Sequence, residues 1–192
     1  ISILQKTNEK NPTNAAPLLM LAQLYVGTKD LDKAQQTLET IVKVDPKQLE
    51  HRKRLAVFLK VNKKLDQAEA VLRDAIKDLP DDVNAKTMLI AFLVAERTQE
   101  VATAELLPMI EQNPEKYDLR FMLVDLELAQ KHLDKAEATL KEIVNLDKQG
   151  PNSIKARNML ARFYTSSNRL DEAKTLVKEI IEENPRDADA LS

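Results

Sequence analysis

The sequence contains no cysteine, and only 2 of its 192 residues are glycine. The absence of cysteine excludes disulfides, thiolate catalysis and cysteine-ligated zinc. It leaves the compartment open, because disulfide-free proteins also occur in oxidising spaces. The two glycines, Gly27 and Gly150, stand too far apart to form a phosphate-binding loop. No uninterrupted run of about 18 apolar residues occurs, so the sequence predicts no direct insertion into a membrane.

An excess of charge of one sign is also missing. The 29 basic residues nearly balance the 31 acidic ones, which leaves a formal net charge of -2. Nucleic-acid-binding proteins usually carry a clear basic excess, so we predict no nucleic-acid partner. The two histidines, His51 and His132, have no second histidine at metal-ligand spacing. Since no residues mark a sheltered pocket with an acid and a base, we predict that the chain is not an enzyme and holds no metal or cofactor.

The sequence does contain a repeat. Six prolines recur at steps of 34, 34, 34, 37 and 34 residues, namely Pro12, Pro46, Pro80, Pro114, Pro151 and Pro185. The long step contains an insertion at 148–150, whose last residue forms a Gly-Pro pair with Pro151 that suits the end of a helix. A Leu-Asp-x-Ala motif recurs in register at Leu31, Leu65, Leu133 and Leu170. We expect each motif aspartate to cap the helix that follows, with Gln35, Glu69 and Glu137 completing a capping box.

Apolar residues recur at helical spacing between the repeated prolines and the Leu-Asp-x-Ala motifs. In the first repeat, Leu18, Leu21 and Tyr25 form one stripe, and Ala34 and Leu38 form another. Each helix hairpin is too small to bury its own apolar faces, so neighbouring hairpins must stack. We predict a single array over 1–192: a tail of a preceding repeat (1–14), repeats at 15–48, 49–82, 83–116, 117–153 (with the three-residue insertion) and 154–187, and the start of a further repeat (188–192).

Two places depart from regularity. Both ends of the chain fall inside a hairpin, since Leu4 has the position in its repeat that Leu38 has in the first repeat. We therefore expect an excised segment of a longer protein. Pro108 falls inside the second helix of the third repeat, where a proline costs about 3 kcal/mol. The sequence predicts a kink or a late helix start there, and a hinge is the alternative.

The repeat resembles the tetratricopeptide repeat family. The residues that match its 34-residue pattern in the first repeat are Leu18, Leu21, Ala22, Tyr25, Ala34, Leu38, Ile41 and Pro46. Arg52 and Lys86 replace the first large residue in later repeats, and Ile90, Val124 and Glu127 are atypical. The resemblance implies an all-α, right-handed superhelical solenoid of antiparallel helix hairpins. It also implies that the chain binds a protein or peptide partner.

In tetratricopeptide proteins a second stripe on the first helices lines a concave groove. Carried over position by position, the resemblance implies a first-helix stripe of partner-binding residues: Leu19, Gln23, Lys53, Lys60, Asn84, Thr87, Phe121, Asp125, Leu128, Lys155, Asn158 and Arg162. Phe121 and Leu128 either anchor an apolar side chain of the partner or pack against the neighbouring hairpin. A subgroup of the family holds acidic chaperone tails with Lys and Asn at two stripe positions. Leu19 and Gln23 occupy those positions here, which disfavours that role.

The basic run Arg52-Lys53-Arg54 is the strongest charge feature. It is interpreted as a solvated helix face, and a docking patch for an acidic partner is the alternative. Nearby acidic residues of the same repeat leave no extended positive stripe.

These features lead to one functional hypothesis and two alternatives. The hypothesis is an interaction scaffold that binds a peptide or helix of a partner, within a larger bacterial assembly. The first alternative is a regulatory or targeting segment of an enzyme whose catalytic domain lies outside 1–192. The second is self-association through exposed repeat ends. The regular repeats resemble those of Gram-negative envelope proteins, an analogy that favours the periplasm or cell envelope over the cytoplasm.

Overall fold

Every regular element that the structure describes is an α-helix. The computed structural model describes residues 14–148 and 150–183. Its helices are α1 (Ala15–Gly27), α2 (Leu31–Val44), α3 (Leu49–Val61), α4 (Leu65–Asp78), α5 (Val83–Glu96), α6 (Gln99–Gln112), α7 (Tyr117–Ala129), α8 (Leu133–Asp147), α9 (Pro151–Ser166) and α10 (Leu170–Glu183). The all-α class predicted from the sequence is confirmed. Pro12, Pro185, Leu4 and 188–192 lie outside the described residues.

The chain divides into two compact units, Ile1–Ala102 and Thr103–Ser192. In the first unit α1 packs on α2 and α3 on α4, while α2 and α4 also contact the first helix of the following hairpin. In the second unit α7 packs on α8 and α9 on α10, and α8 contacts α9. Within each unit a second helix therefore lies between two first helices, which is how stacked hairpins bury their apolar faces.

The centre of each hairpin is an alanine of the second helix. Ala34, Ala68, Ala102 and Ala136 are all 0% exposed. A small side chain at this place lets the two helices of a hairpin approach closely, as the sequence predicts. Larger residues then fill the space between hairpins.

Four of the five described turns between paired helices close with one residue in the left-handed region. These turn residues are Lys29 (φ 59°), Lys63 (φ 61°), Lys131 (φ 59°) and Asn168 (φ 59°). In the first turn the Asp30 N–H donates to the Tyr25 carbonyl at 2.9 Å, and the other three turns repeat this bond. The bond is the long-range hydrogen bond of a Schellman motif. It offsets the cost of about 1–2 kcal/mol that a side chain meets in the left-handed region.

The motif aspartates do not cap the second helices. α2 begins at Leu31, which places Asp32 inside the first turn, and the cap is Asp30, whose carboxylate accepts from the Lys33 N–H at 3.4 Å. α4 and α8 also begin at the motif leucine and have no side-chain cap. The capping expectation was therefore wrong. The aspartates instead place negative charge at the positive end of the helix dipole.

A basic residue takes the place of Leu18 in the second and third hairpins and is buried there. Arg52 is 3% exposed and donates to the Pro46 carbonyl and to the Asp78 carboxylate. Lys86, also 3% exposed, donates to the carbonyl of Pro80. Because Arg52 is buried, the Arg52-Lys53-Arg54 run is not one solvated face, which corrects the sequence interpretation.

The insertion lengthens a first helix by about one turn. α9 has 16 residues, whereas α1, α3 and α7 have 13. Pro151 is its first residue, a position where the missing N–H costs nothing. The Asp147 carboxylate accepts from the N–H groups of Asn152 (2.7 Å) and Ser153 (3.1 Å), and a side chain at Gly150 would collide with that carboxylate.

Pro108 lies within a helix that begins at the position expected from the 34-residue repeat. α6 begins at Gln99, 34 residues after α4 begins at Leu65, and continues to Gln112. The predicted late helix start is therefore wrong. Pro108 is exposed, so its ring points away from the buried residues of the helix.

Candidate functional site

The first-helix stripe lies on the five first helices, as the family pattern implies. In the first unit α1, α3 and α5 carry six of its residues, and in the second unit α7 and α9 carry the other six. Nine members are exposed: Gln23, Lys53, Lys60, Asn84, Thr87, Asp125, Lys155, Asn158 and Arg162. Leu19 and Leu128 are half-buried, and Phe121 is buried. Most of the stripe is therefore exposed to solvent in both units, and Phe121 is its one buried member.

In the first unit the stripe borders a cavity of about 330 Å³, hereafter the α1–α3 cavity. Its lining is mostly aliphatic and comprises Leu19, Ala22, Gln23, Val26, Leu38, Arg54, Val57 and Phe58. Val26 and Val57 remain 46% and 53% exposed, so the cavity presents apolar surface to solvent. Concave apolar sites with a few polar groups are typical of ligand binding.

Basic side chains of α3 on the stripe and beside it differ in how they are paired with carboxylates. The Lys60 ammonium lies 2.6 Å from a carboxylate oxygen of Glu96, so its charge is neutralised locally. Lys53 and Arg54 both face Glu50, at 3.8 and 3.4 Å. Two cations therefore share one carboxylate at looser distances, which leaves a positive edge beside the α1–α3 cavity.

Phe121 belongs to the core of the second unit. It is 5% exposed and packs in one cluster with Val124, Leu140 and Leu160, against which Leu128 also packs. Of the two alternatives left open by the sequence, the structure supports packing against the neighbouring hairpin for both residues. The reason is that α9 covers this part of α7.

Lys155 lies over the ring of Phe121. Its ammonium lies 3.9 Å from the centroid of the Phe121 ring, a cation–π contact. Replacing Phe121 would therefore test the folding of this unit before it tests partner binding.

Comparison with known families identifies this repeat. The sequence model of the tetratricopeptide repeat matches residues 1–56, 100–152 and 144–192. The chain belongs to the tetratricopeptide repeat family. The matched ranges include helices of both units, so the assignment does not rest on one hairpin. Comparison with curated protein sequences gives no match.

Solved structures show the same fold at low sequence identity. The tetratricopeptide repeat protein YrrB, described as having an unusual peptide-binding site, is 18% identical over 98% of this chain and 95% of its own, with a TM-score of 0.51. MamA is 17% identical over 91% and 94%, with a TM-score of 0.55. A tetratricopeptide repeat protein from Parabacteroides merdae is 18% identical over 90% and 68%, with a TM-score of 0.54. These likenesses support the helical-repeat fold and, at this identity, the fold alone.

The family's fold is generally a non-catalytic scaffold that binds proteins or peptides. Among residues 14–148 and 150–183, no three His, Asp or Glu side chains converge on a place for a metal ion. The same part of the chain has no helix with the length and apolar character needed to cross a membrane.

Sequence reasoning missed a hydrogen-bonded ladder that joins consecutive tetratricopeptide hairpins. The residue after each central alanine binds a side chain from the turn of the next hairpin. The pairs are Gln35 with Lys64 (2.6 Å), Glu69 with Arg97 (3.0 Å), Thr103 with Gln130 (2.9 Å) and Glu137 with Arg169 (2.5 Å). Gln35, Glu69 and Glu137 therefore act between hairpins, where the sequence suggested capping boxes. The 34-residue recurrence of these polar residues was the available signal.

In the Glu137–Arg169 pair of this ladder, the Glu137 side chain is 13% exposed and also binds Lys141. Hydrogen bonds from Arg169, Lys141 and the Tyr164 hydroxyl lower the pKa of Glu137 to about 2, although partial burial opposes the shift. Arg169 also binds Glu172 and lies over the Tyr164 ring, 4.4 Å from its centroid. Hydrogen bonding to Glu172 and Glu137 raises the pKa of Arg169, so this ion cluster stays charged at neutral pH.

Proposed function

We propose that the chain is an interaction scaffold that binds a segment of a protein partner along the first-helix stripe, with the α1–α3 cavity as its main contact in the first unit. The observation that supports this proposal is the exposed aliphatic surface of that cavity, formed by Val26 and Val57 beside the half-buried Leu19. Covering what remains exposed of one valine would contribute about 1 kcal/mol. Several such contacts and a few hydrogen bonds give a specific but reversible complex.

The stripe of the second unit supplies polar contacts to the same partner or to another one. Asp125 on α7 and Asn158 and Arg162 on α9 are exposed, and the Phe121 ring beneath Lys155 gives this surface a rigid base. Exposed charged and amide side chains on rigid helices suit polar recognition at the edge of an interface.

Affinity capture from native cell extract tests the proposal. The immobilised wild-type chain is compared with Val57→Asp, which places a charge on the wall of the cavity. Val101→Asp is the matched control, because Val101 is 43% exposed, similar to the 53% of Val57, and does not line the cavity. Circular dichroism first shows that both variants keep their helices.

We expect a partner that is retained by wild type and by Val101→Asp and is lost with Val57→Asp. Capture of the same partner by all three proteins would refute the proposal for the α1–α3 cavity. In that case the partner binds another surface of the array.

A further inference from the structure

A cation and an apolar wall meet in the α1–α3 cavity. Arg54 and Val57 are three residues apart on α3 and both line it, as does Leu19 from α1. Residues three apart on a helix lie about 5–6 Å from each other at their Cβ atoms. The cavity can therefore contact two different side chains of one bound segment at the same time.

Among the described residues that line this cavity, the charged one is Arg54 on α3. α1 carries no charged residue, whereas α3 provides Lys53 and Arg54 against Glu50. The Arg54 side chain is 46% exposed, and its 3.4 Å distance to Glu50 exceeds the usual 2.7–2.9 Å of a charge-assisted hydrogen bond. The Arg54 guanidinium can therefore bind a partner's carboxylate at a shorter distance than the carboxylate of Glu50.

Building on the proposed function, we infer that the α1–α3 cavity recognises a partner segment with an aliphatic side chain and, two or three residues away, an aspartate or glutamate. The aliphatic side chain enters between Leu19 and Val57, and the carboxylate binds the Arg54 guanidinium. In an extended segment, side chains two residues apart lie about 6.6 Å from each other on one face, close to the Arg54–Val57 spacing. The single polar neutral residue of the lining, Gln23, is placed to hydrogen-bond the backbone of such a segment.

Three synthetic decapeptides test the inference. Each alternates serine with leucine and a variable residue in turn, so that leucine and the variable residue lie two positions apart. The variable residue is glutamate in the first peptide, glutamine in the second and lysine in the third. Acetylated and amidated ends leave side chains as the only source of charge. A neutral fluorescent label, attached through the N-terminal acetyl group, reports binding to the full chain by anisotropy.

We expect the glutamate peptide to bind about tenfold or more tightly than the glutamine peptide, because a charge-assisted hydrogen bond to Arg54 is lost in the latter. Its affinity should fall as salt is raised, since an exposed ion pair is screened. Arg54→Glu should remove the preference for glutamate and favour the lysine peptide. Val57→Asp should weaken the glutamate and glutamine peptides, because it removes the aliphatic wall of the cavity.

Lys77→Glu is the matched control for charge reversal. The Lys77 side chain is 74% exposed on α4, so this variant changes the net charge equally but away from the cavity. It should bind the glutamate peptide as wild type does, while unchanged helix content shows that each variant is folded.

Three results would overturn the inference: equal binding of the glutamate and glutamine peptides, glutamate binding that Arg54→Glu leaves unchanged, or no binding of the glutamate peptide. Each of these leaves the proposed function to be decided by the Val57→Asp capture experiment. A natural partner lost with Val57→Asp but retained by Arg54→Glu would show that the cavity binds proteins without selecting for acidic residues.

Discussion

Replacing Glu137 by glutamine removes the carboxylate at the centre of the Arg169 cluster while keeping the size of the side chain. The pKa of Glu137 falls from its usual 4.5 to about 2 in the folded protein. At 1.36 kcal/mol per pKa unit this corresponds to an upper limit of about 3 kcal/mol. The side chains of Arg169 and Lys141 are 35% and 55% exposed, and solvent screens their charges. We therefore expect Glu137→Gln to lower the free energy of unfolding by about 1–2 kcal/mol at pH 7.

The pH dependence of this effect distinguishes an ion pair from simple packing. Because the folded-state pKa of Glu137 is lower than the unfolded value, its stabilisation is complete above about pH 4.5 and is lost as the pH falls toward 2. The difference between wild type and Glu137→Gln should therefore shrink by roughly half between pH 7 and pH 3.

Urea unfolding followed by circular dichroism at both pH values measures this difference. Glu179→Gln, at an exposed position of α10 in the same unit, is the control and should differ little from wild type at either pH. A destabilisation by Glu137→Gln that is equal at pH 7 and pH 3 would refute the electrostatic explanation. The ladder would then hold hairpins together by neutral hydrogen bonds and packing.

Three further substitutions test the buried polar residues and the internal proline. Burial raises the pKa of Glu127 despite a hydrogen bond from Thr139. Ionisation of Glu127 therefore costs stability as the pH rises above the usual glutamate range. In urea unfolding, Glu127→Gln should stabilise the protein by about 1 kcal/mol at pH 7 and not at pH 4. Arg52→Ala should cost about 3 kcal/mol because it empties the buried space that the Arg52 side chain fills, whereas Arg52→Leu, which fills most of it and restores the residue of the first hairpin, should be nearly neutral in the same assay. Pro108→Ala should raise the thermal midpoint, with a gain of about 1–3 kcal/mol, because the exposed ring contributes little packing and its removal restores a helical hydrogen bond. A destabilised Pro108→Ala protein would show that the ring is needed for packing.

The sequence by itself predicted the helices and their faces. Prolines and Leu-Asp-x-Ala motifs at 34-residue steps predicted hairpins, and the described helices begin at the same steps. Apolar spacing also identified the buried faces, since Leu21, Tyr25 and Ala34 share one cluster. These features are local: they depend on hydrogen bonds and side-chain directions within about four residues.

Only the tertiary structure decided how particular polar residues are used. Arg52 is buried although it lies in a basic run, because the Asp78 carboxylate and the Pro46 carbonyl are within its reach. Phe121 packs inward because α9 covers it. The ladder pairs Glu137 with a residue 32 positions away. Such contacts depend on the distance and rotation between stacked hairpins, which the packing of whole helix faces sets and no local spacing encodes.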